Sequence, residues 1–227
     1  MKPVEAISKE AVRLVGGDFY NYILIDEDHL AMWIGDVSGK GIPAALFMMS
    51  ANLMLSARVR FKGSPAEILR DVNNGICEKN DAEMFVTAWL GILSLSTGRL
   101  IAANAGHESP MVYRSGRFEK IKDKHGLVLG GLKNSRYQDY EIDLLPGDKI
   151  FVYTDGVPEA RNSGKEMYQY ARFTGVLNQN RDDSPDKLIR SVKDDIDAFA
   201  GDAVQFDDLT MLAVEYRGQP HSRHASS

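Results

Sequence analysis

The chain has 227 residues, of which 44% are hydrophobic and 26% are charged, and its net charge is -5. This composition is ordinary for a globular protein, and the acidic balance, without a basic cluster, argues against a nucleic-acid-binding surface. No apolar run reaches the roughly 20 residues that span a bilayer, and no secretory signal pattern opens the chain, so we expect a cytoplasmic protein. The single cysteine, Cys77, excludes internal disulfides and cysteine-based metal clusters.

The predicted strands begin with a hairpin. Tyr22–Ile25 and Leu30–Ile34 flank a turn at 26–28, and the second strand is apolar on both faces, which is typical of a central strand. Further strands are predicted at 85–95, 99–104, 111–113, 118–121, 140–144, 149–153 and 209–214. A loop with a buried turn is expected at 122–138. Because the strands mostly pair as hairpins and the helices come in blocks, we expect an α+β fold with antiparallel sheets.

Helices are predicted in four places. Ala44–Arg58 follows Pro43 and is apolar nearly all round, which indicates a helix that is buried or self-associating. A capping-box start at Ser64 opens a second helix. A short helix is expected at 173–177, and a last amphipathic helix begins at Ser184.

Four aspartates share one local context, a position beside an apolar strand. Asp18 follows two glycines, Asp36 and Asp155 follow strands, and Asp207 opens the last strand, with Asp208 beside it. A single aspartate in such a place is usually a solvated turn residue, but four are less easily explained that way. If they converge, their mutual repulsion favours a divalent cation, and oxygen ligands alone favour Mg²⁺ or Mn²⁺. Two such ions can activate water and stabilise a phosphoryl transition state.

Other catalytic patterns fit less well. The stretch from Gly35 to Lys40 resembles a phosphate-binding P-loop, but it is one residue short and no Ser or Thr follows the lysine. Cys77 cannot serve a cysteine phosphatase of the Cys-x5-Arg type, because the arginine position holds Glu83. His107 lies near a glycine turn after a strand, where it is a supporting group of the site, an acid/base group or a histidine bonded to backbone.

Six motifs occur in order along the chain. They are Gly-Gly-Asp-Phe-Tyr at 16–20, Asp-Val-Ser-Gly-Lys-Gly-Ile-Pro-Ala-Ala-Leu at 36–46, Asn-Ala-Gly-His at 104–107, Pro-Gly-Asp at 146–148, Tyr-Thr-Asp-Gly-Val-x-Glu-Ala at 153–160 and Asp-Asp-Leu-Thr at 207–210. Together they resemble the sporulation-phosphatase and stress-response branch of the metal-dependent PP2C-type serine/threonine phosphatases. The resemblance covers about residues 12–216, so we expect a single domain over 1–216 and a disordered polar tail over 217–227.

The resemblance implies an αββα sandwich, in which helices flank two antiparallel sheets, with two Mn²⁺ or Mg²⁺ ions at one end. It implies hydrolysis of phosphoserine or phosphothreonine by a metal-activated water. By motif, Asp36 is expected to bridge both ions, with the Val37 carbonyl as a further ligand. Asp18 is expected to bind one ion, and Asp155 and Asp207 the other. Supporting roles are expected for Asp208, Gly156 and His107.

The resemblance also implies partners and regulation. The expected substrate is a phosphorylated anti-anti-sigma protein in a partner-switching pathway, with a sensory or receiver module upstream. The helices at about 43–60 and 64–80 correspond to switch helices that govern metal recruitment, and Pro43, Met48 and Met49 are the expected regulatory positions. A homodimer through these helices is a further expectation.

Three positions depart from the family pattern. Asn21 replaces a frequent aspartate, Glu108 replaces proline or asparagine, and Gln169 occupies a common glycine position. None of them removes an expected ligand, so we expect an active enzyme. The departures leave an alternative open, a degenerate phosphatase that binds its partner without hydrolysing it.

Overall fold

The structure, a computed structural model, describes residues 4–5, 16–78, 80, 84–205 and 207–218. These residues form two antiparallel five-stranded sheets and four helices. The first sheet has the order β2 (Phe19–Leu24), β3 (His29–Val37), β4 (Val86–Ser94), β5 (Arg99–Ala105) and β8 (Tyr140–Asp143). The second has the order β1 (Val4–Glu5), β10 (Met211–Tyr216), β9 (Lys149–Tyr153), β6 (Met111–Arg114) and β7 (Arg117–Lys120). The helices are α1 (Ile42–Arg58), α2 (Pro65–Cys77), α3 (Gln169–Gln179) and α4 (Pro185–Ala200).

Three apolar clusters define four layers. Alternate residues of β3 point to opposite faces, so Ala31 and Trp33 pack towards α1 and α2, whereas Met32 and Ile34 pack against the second sheet. A third cluster joins the second sheet to α3 and α4. The expected α+β fold, an αββα sandwich, is therefore confirmed, and burial on both faces explains why β3 is apolar throughout.

Several predicted boundaries need correction. Asp36 does not follow its strand but lies within β3, because Asp36 and Val37 still pair with Thr87 and Val86 of β4. The short helix predicted at 173–177 is longer and is α3. The strand predicted at 209–214 starts later, at Met211. The predicted loop at 122–138 is confirmed, with Leu129 buried in its turn.

Of the two alternatives predicted for the apolar helix, buried or self-associating, the first does not hold. In α1, only Ala44, Ala51 and Leu55 are fully buried, because the helix is an outer layer with one face against β3 and α2. Its outward apolar side chains have exposed fractions of 60–70% and lie at Ile42, Leu46, Met49 and Leu53. Their spacing of three or four residues places them on one stripe. The other alternative, that α1 associates with a second copy of the chain, stays a prediction.

The capping box at the start of α2 is confirmed. The Ser64 hydroxyl accepts the Glu67 N–H, and the Glu67 carboxylate accepts the Ser64 N–H. Most of the predicted tail, 219–227, lies outside the described residues. None of the helices in the described ranges combines the length and apolarity needed to cross a bilayer.

Candidate active site

The predicted aspartates lie where the ends of the two sheets meet. Asp18 and Asp36 belong to the first sheet, one residue before β2 and near the end of β3. Two strands of the second sheet position the others. Asp155 comes two residues after β9, and Asp207 lies four residues before β10. The Thr154 hydroxyl donates to the Asp18 carboxylate at 2.7 Å and so joins the sheets at this point.

Asp18 and Asp36 are close enough to affect each other's ionisation. Burial and the charge of Asp36 raise the pKa of Asp18 well above its ordinary value. Burial raises the pKa of Asp36 to about 7, and the charges of neighbouring carboxylates add to this effect: Asp155, Asp207 and Asp208. Burial also raises the pKa of Asp155. The aspartates therefore converge as a crowded acidic group, and a cation would relieve their repulsion.

Asp208 is fixed between the two sheets. Its Oδ2 accepts the Gly17 N–H at 3.1 Å, whereas Oδ1 is buried without a hydrogen-bond partner among the described residues. Gly156 must be glycine here, because a Cβ would lie 2.0 Å from the Asp208 carbonyl oxygen. At Gly16 a Cβ would lie 2.1 Å from Asp208 Oδ2, so a side chain there would displace the Asp208 carboxylate.

The Val37 carbonyl ends β3, and the turn that follows carries Lys40. A Cβ on Gly17 would lie 3.0 Å from the Val37 oxygen, which places that carbonyl beside the start of β2. Ser38 holds the turn through two bonds to Phe85, from its N–H to the Phe85 carbonyl and from the Phe85 N–H to its hydroxyl, each 2.9 Å. Lys40 then reaches across to Asp207, with Nζ 3.2 Å from Oδ2.

His107 lies beside β4, where the preceding Gly106 bridges to Ala88. Its Nδ1 is 2.9 Å from the Thr87 hydroxyl, which in turn lies 3.5 Å from the Asp36 carbonyl oxygen. The Asn104 side chain holds the turn by accepting the His107 N–H and donating to the His107 carbonyl. Burial lowers the pKa of His107 to about 4. The ring is therefore neutral near neutral pH and bound to Thr87. This favours a role in holding β3 in place over a role as a general acid or base.

The three departures lie in different surroundings. Asn21 turns away to α1, where its amide donates to the Ser56 hydroxyl at 3.4 Å. Glu108 pairs with Lys120 at 3.0 Å, and its charge contributes to the raised pKa of Asp155. Gln169 has a φ of 65°, a left-handed conformation in which glycine is unstrained.

The expected regulatory residues differ in burial. Pro43 is the second residue of α1, which begins at Ile42. Met48 packs against the core between α1 and the first sheet. Met49 is 62% exposed on the outward stripe.

Sequence reasoning missed the partners that connect these segments. The sequence indicates Lys40 only as a P-loop lysine, because its pairing with Asp207 spans most of the chain. Thr154 lies in one of the six motifs, but its role in joining Asp18 to Thr210 has no local signal. A cleft of about 190 Å³ beside Asp207 also went unforeseen.

The donor set suits hard divalent ions, because every expected ligand is an oxygen. Within the described ranges, no group of three or more Asp, Glu, His or Cys side chains is already arranged to hold a metal ion. The carboxylates are engaged elsewhere, since Asp18 accepts from Thr154 and Asp207 pairs with Lys40. The crowding and raised pKa values of Asp18 and Asp36 fit a site that cations complete.

Comparison with known proteins identifies the family of the chain. The family model for Stage II sporulation protein E (SpoIIE) matches residues 26–217. Protein IcfG of Synechocystis is 32% identical over 235 residues, covering 90% of this chain and 36% of the relative. The phosphoserine phosphatase RsbU of Bacillus subtilis is 27% identical, covering 93% of this chain and 62% of the relative. The chain thus spans between about a third and three fifths of these curated relatives.

Solved structures share the fold. The PP2C domain of SiaA from Pseudomonas aeruginosa has a TM-score of 0.82 at 22% identity, covering 92% of this chain and 85% of that one. The RsbU and RsbW domains of a Mycobacterium tuberculosis protein give 0.79 at 23% identity, covering 96% and 62%. The fold is therefore that of a PP2C-type phosphatase domain. Since the family model covers most of the sequence, the chain belongs to the SpoIIE family.

Proposed function

We propose that this chain is a metal-dependent protein serine/threonine phosphatase of the PP2C type. The observation that carries the proposal is the convergence of Asp18, Asp36, Asp155 and Asp207 from the ends of both sheets. Burial and mutual repulsion raise the pKa of three of them, which is the electrostatic condition that bound cations relieve. Membership of the SpoIIE family and similarity to a phosphoserine phosphatase point to the same activity.

The proposed ligands divide between two Mn²⁺ or Mg²⁺ ions. Asp36 and the Val37 carbonyl would be shared ligands, Asp18 would hold one ion, and Asp155 and Asp207 would hold the other. Such ions supply an activated water and electrostatic stabilisation of the phosphoryl group. The protein's own contribution is to fix these oxygens on two sheets that pack against one apolar core.

Three further residues hold the ligands in place. Asp208 ties the segment before β10 to Gly17, and Gly156 provides the space that its backbone requires. His107 supports β3 through Thr87, whose hydroxyl faces the Asp36 carbonyl. We assign these residues positioning roles and no contact with substrate.

The substrate we propose is a phosphorylated anti-anti-sigma protein in a partner-switching pathway. The support is the similarity to RsbU and to a structure that contains RsbU and RsbW domains. The similarity to RsbU favours phosphoserine as the hydrolysed residue. An upstream sensory or receiver module stays a prediction.

Regulation is proposed to act through α1. Pro43 is the second residue of α1, which starts directly after the turn that follows Val37 and carries Lys40, so a shift of α1 would move that turn. Met48 packs inward against the core, so such a shift would change its contacts. We propose that the outward stripe of α1, which includes Met49, forms a homodimer with a second copy of the chain. The support is its apolar, exposed surface in the described structure.

The activity is tested by phosphate release from phosphoserine proteins with Mn²⁺, with Mg²⁺ and with EDTA. Wild type should require a metal, and Asp155→Ala should lower the rate by about 100-fold or more, because one ion loses a ligand. Asp143→Ala, at an exposed position of β8, is the matched control and should keep full activity. Activity that survives both EDTA and Asp155→Ala would refute the proposal.

The alternative is a partner-binding module without catalysis. Glu108 motivates it, because this departure from the family pattern adds negative charge near Asp155. Calorimetry separates the two functions. A binding module would bind no Mn²⁺ at millimolar concentration but would keep its affinity for the partner protein. The phosphatase should bind Mn²⁺ and release phosphate.

A further inference from the structure

Lys40 is a cation placed directly at the crowded carboxylates. Its Nζ lies 3.2 Å from Asp207 Oδ2, and the two side chains are 50% and 39% exposed. The other oxygen of Asp207 accepts the Asp208 N–H at 3.0 Å, so the carboxylate is already oriented. Half-exposed ion pairs contribute little stability, so the ammonium can leave Asp207 at small cost.

The backbone presents Lys40 on a turn that is tied to the residue before β4, and the lysine side chain itself is long and flexible. Gly39 and Gly41 on either side have φ values of 92° and 83°, which glycine adopts without strain. Ser38 ties the base of the turn to Phe85. The ammonium can therefore change partner by rotation of its four-carbon side chain, while the backbone stays in place.

The surroundings of the turn suit an anion. Helix α1 starts directly after Lys40, with Gly41 as its N-cap, no side-chain acceptor for its first N–H groups and no acidic residue in its first turn. The positive end of the helix dipole therefore lies next to the ammonium. In the structure, the ammonium is paired with the carboxylate of Asp207.

We propose that Lys40 is a mobile cation of the active site, which pairs with Asp207 while that carboxylate binds no ion and moves to the substrate phosphate once Asp207 serves as a ligand. This inference rests on the proposed function of the site. It assigns Lys40 two opposite effects, since the ammonium competes with a metal ion for Asp207 and assists the binding of a phosphate dianion. A lysine that only stabilises the turn would support both kinds of binding.

The test uses Lys40→Met, which keeps the length of the side chain and removes its charge. We expect Mn²⁺, measured by calorimetry, to bind about threefold to fivefold more tightly, because the competing ion pair is gone. We expect inhibition by inorganic phosphate, measured on p-nitrophenyl phosphate hydrolysis, to weaken about tenfold or more, because a charge-assisted hydrogen bond is lost. Lys40→Arg should keep both constants within about threefold of wild type.

The matched control is Lys133→Met, which removes a cation from an exposed ion pair with Glu78 at 3.1 Å. Both constants should equal those of wild type in this control. Weaker binding of both Mn²⁺ and phosphate by Lys40→Met would show a structural role and overturn the inference, as would unchanged inhibition by phosphate. Failure of wild type itself to bind Mn²⁺ would instead refute the proposed function. Thermal unfolding of each variant checks that the fold is intact.

Discussion

The buried histidine gives a quantitative prediction about stability. Burial lowers the pKa of His107 from 6.5 to about 4 in the folded protein. As the pH falls below about 6.5, the unfolded chain binds a proton that the folded protein refuses, so the stability associated with the neutral ring is lost between about pH 6.5 and pH 4. From pH 7 to pH 5, this loss is about 2 kcal/mol.

The perturbation is His107→Gln, which removes the titrating group and keeps an amide that can bond to Thr87. Urea unfolding of both proteins in EDTA, followed by fluorescence, gives their free energies of unfolding at each pH. The raised pKa values of Asp18 and Asp36 change stability with the opposite sign, because they favour protonation in the folded state. Both proteins contain these aspartates, so their contribution cancels in the difference.

We expect wild type to lose about 2 kcal/mol more than His107→Gln between pH 7 and pH 5. The control is Thr87→Val, which removes the hydrogen bond to the ring but leaves the ring buried. Thr87→Val should be less stable than wild type at every pH while following the pH dependence of wild type. Parallel stability curves for wild type and His107→Gln would refute the reasoning.

Two further predictions concern the outward stripe of α1 and the start of α3. Leu53→Lys should shift the proposed homodimer to monomer in sedimentation without unfolding the chain, because Leu53 is 70% exposed; an unchanged dimer would place the interface elsewhere. Gln169→Gly should raise the free energy of unfolding by about 0.5–1 kcal/mol, because relief of left-handed strain exceeds the entropic cost of glycine. Ala171→Gly, in the same helix, should lower it by about 1 kcal/mol, and a similar loss for Gln169→Gly would contradict the strain argument.

Local patterns were enough to predict the elements of this fold. The hairpin around 26–28 and the capping box at Ser64 depend on contacts within a few residues, and both are confirmed. The burial of α1 was predicted wrongly, because composition reports how apolar a helix is and not how many of its faces have a neighbour. The boundary at Asp36 was misplaced for a related reason, since its pairing with Thr87 lies on another strand.

The candidate site shows the same division between local and distant information. The motifs predicted Asp18, Asp36, Asp155 and Asp207, because strand ends with glycines are visible in the sequence. Their convergence depends on packing of the two sheets, which no local pattern encodes. The raised pKa values are likewise a consequence of this packing, because burial is their largest cause.

The same packing gives Asp207 a cationic neighbour that its own segment lacks. Lys40 follows β3 of the first sheet and Asp207 precedes β10 of the second, so the ion pair exists only when the sheets are stacked. Any movement of α1 that shifts this turn would change the distance from Lys40 to Asp207 together with the position of the Val37 carbonyl. If α1 regulates the enzyme as proposed, this one short turn would couple its movement to the availability of Asp207 as a ligand, and the Lys40 variants test the Asp207 end of that coupling.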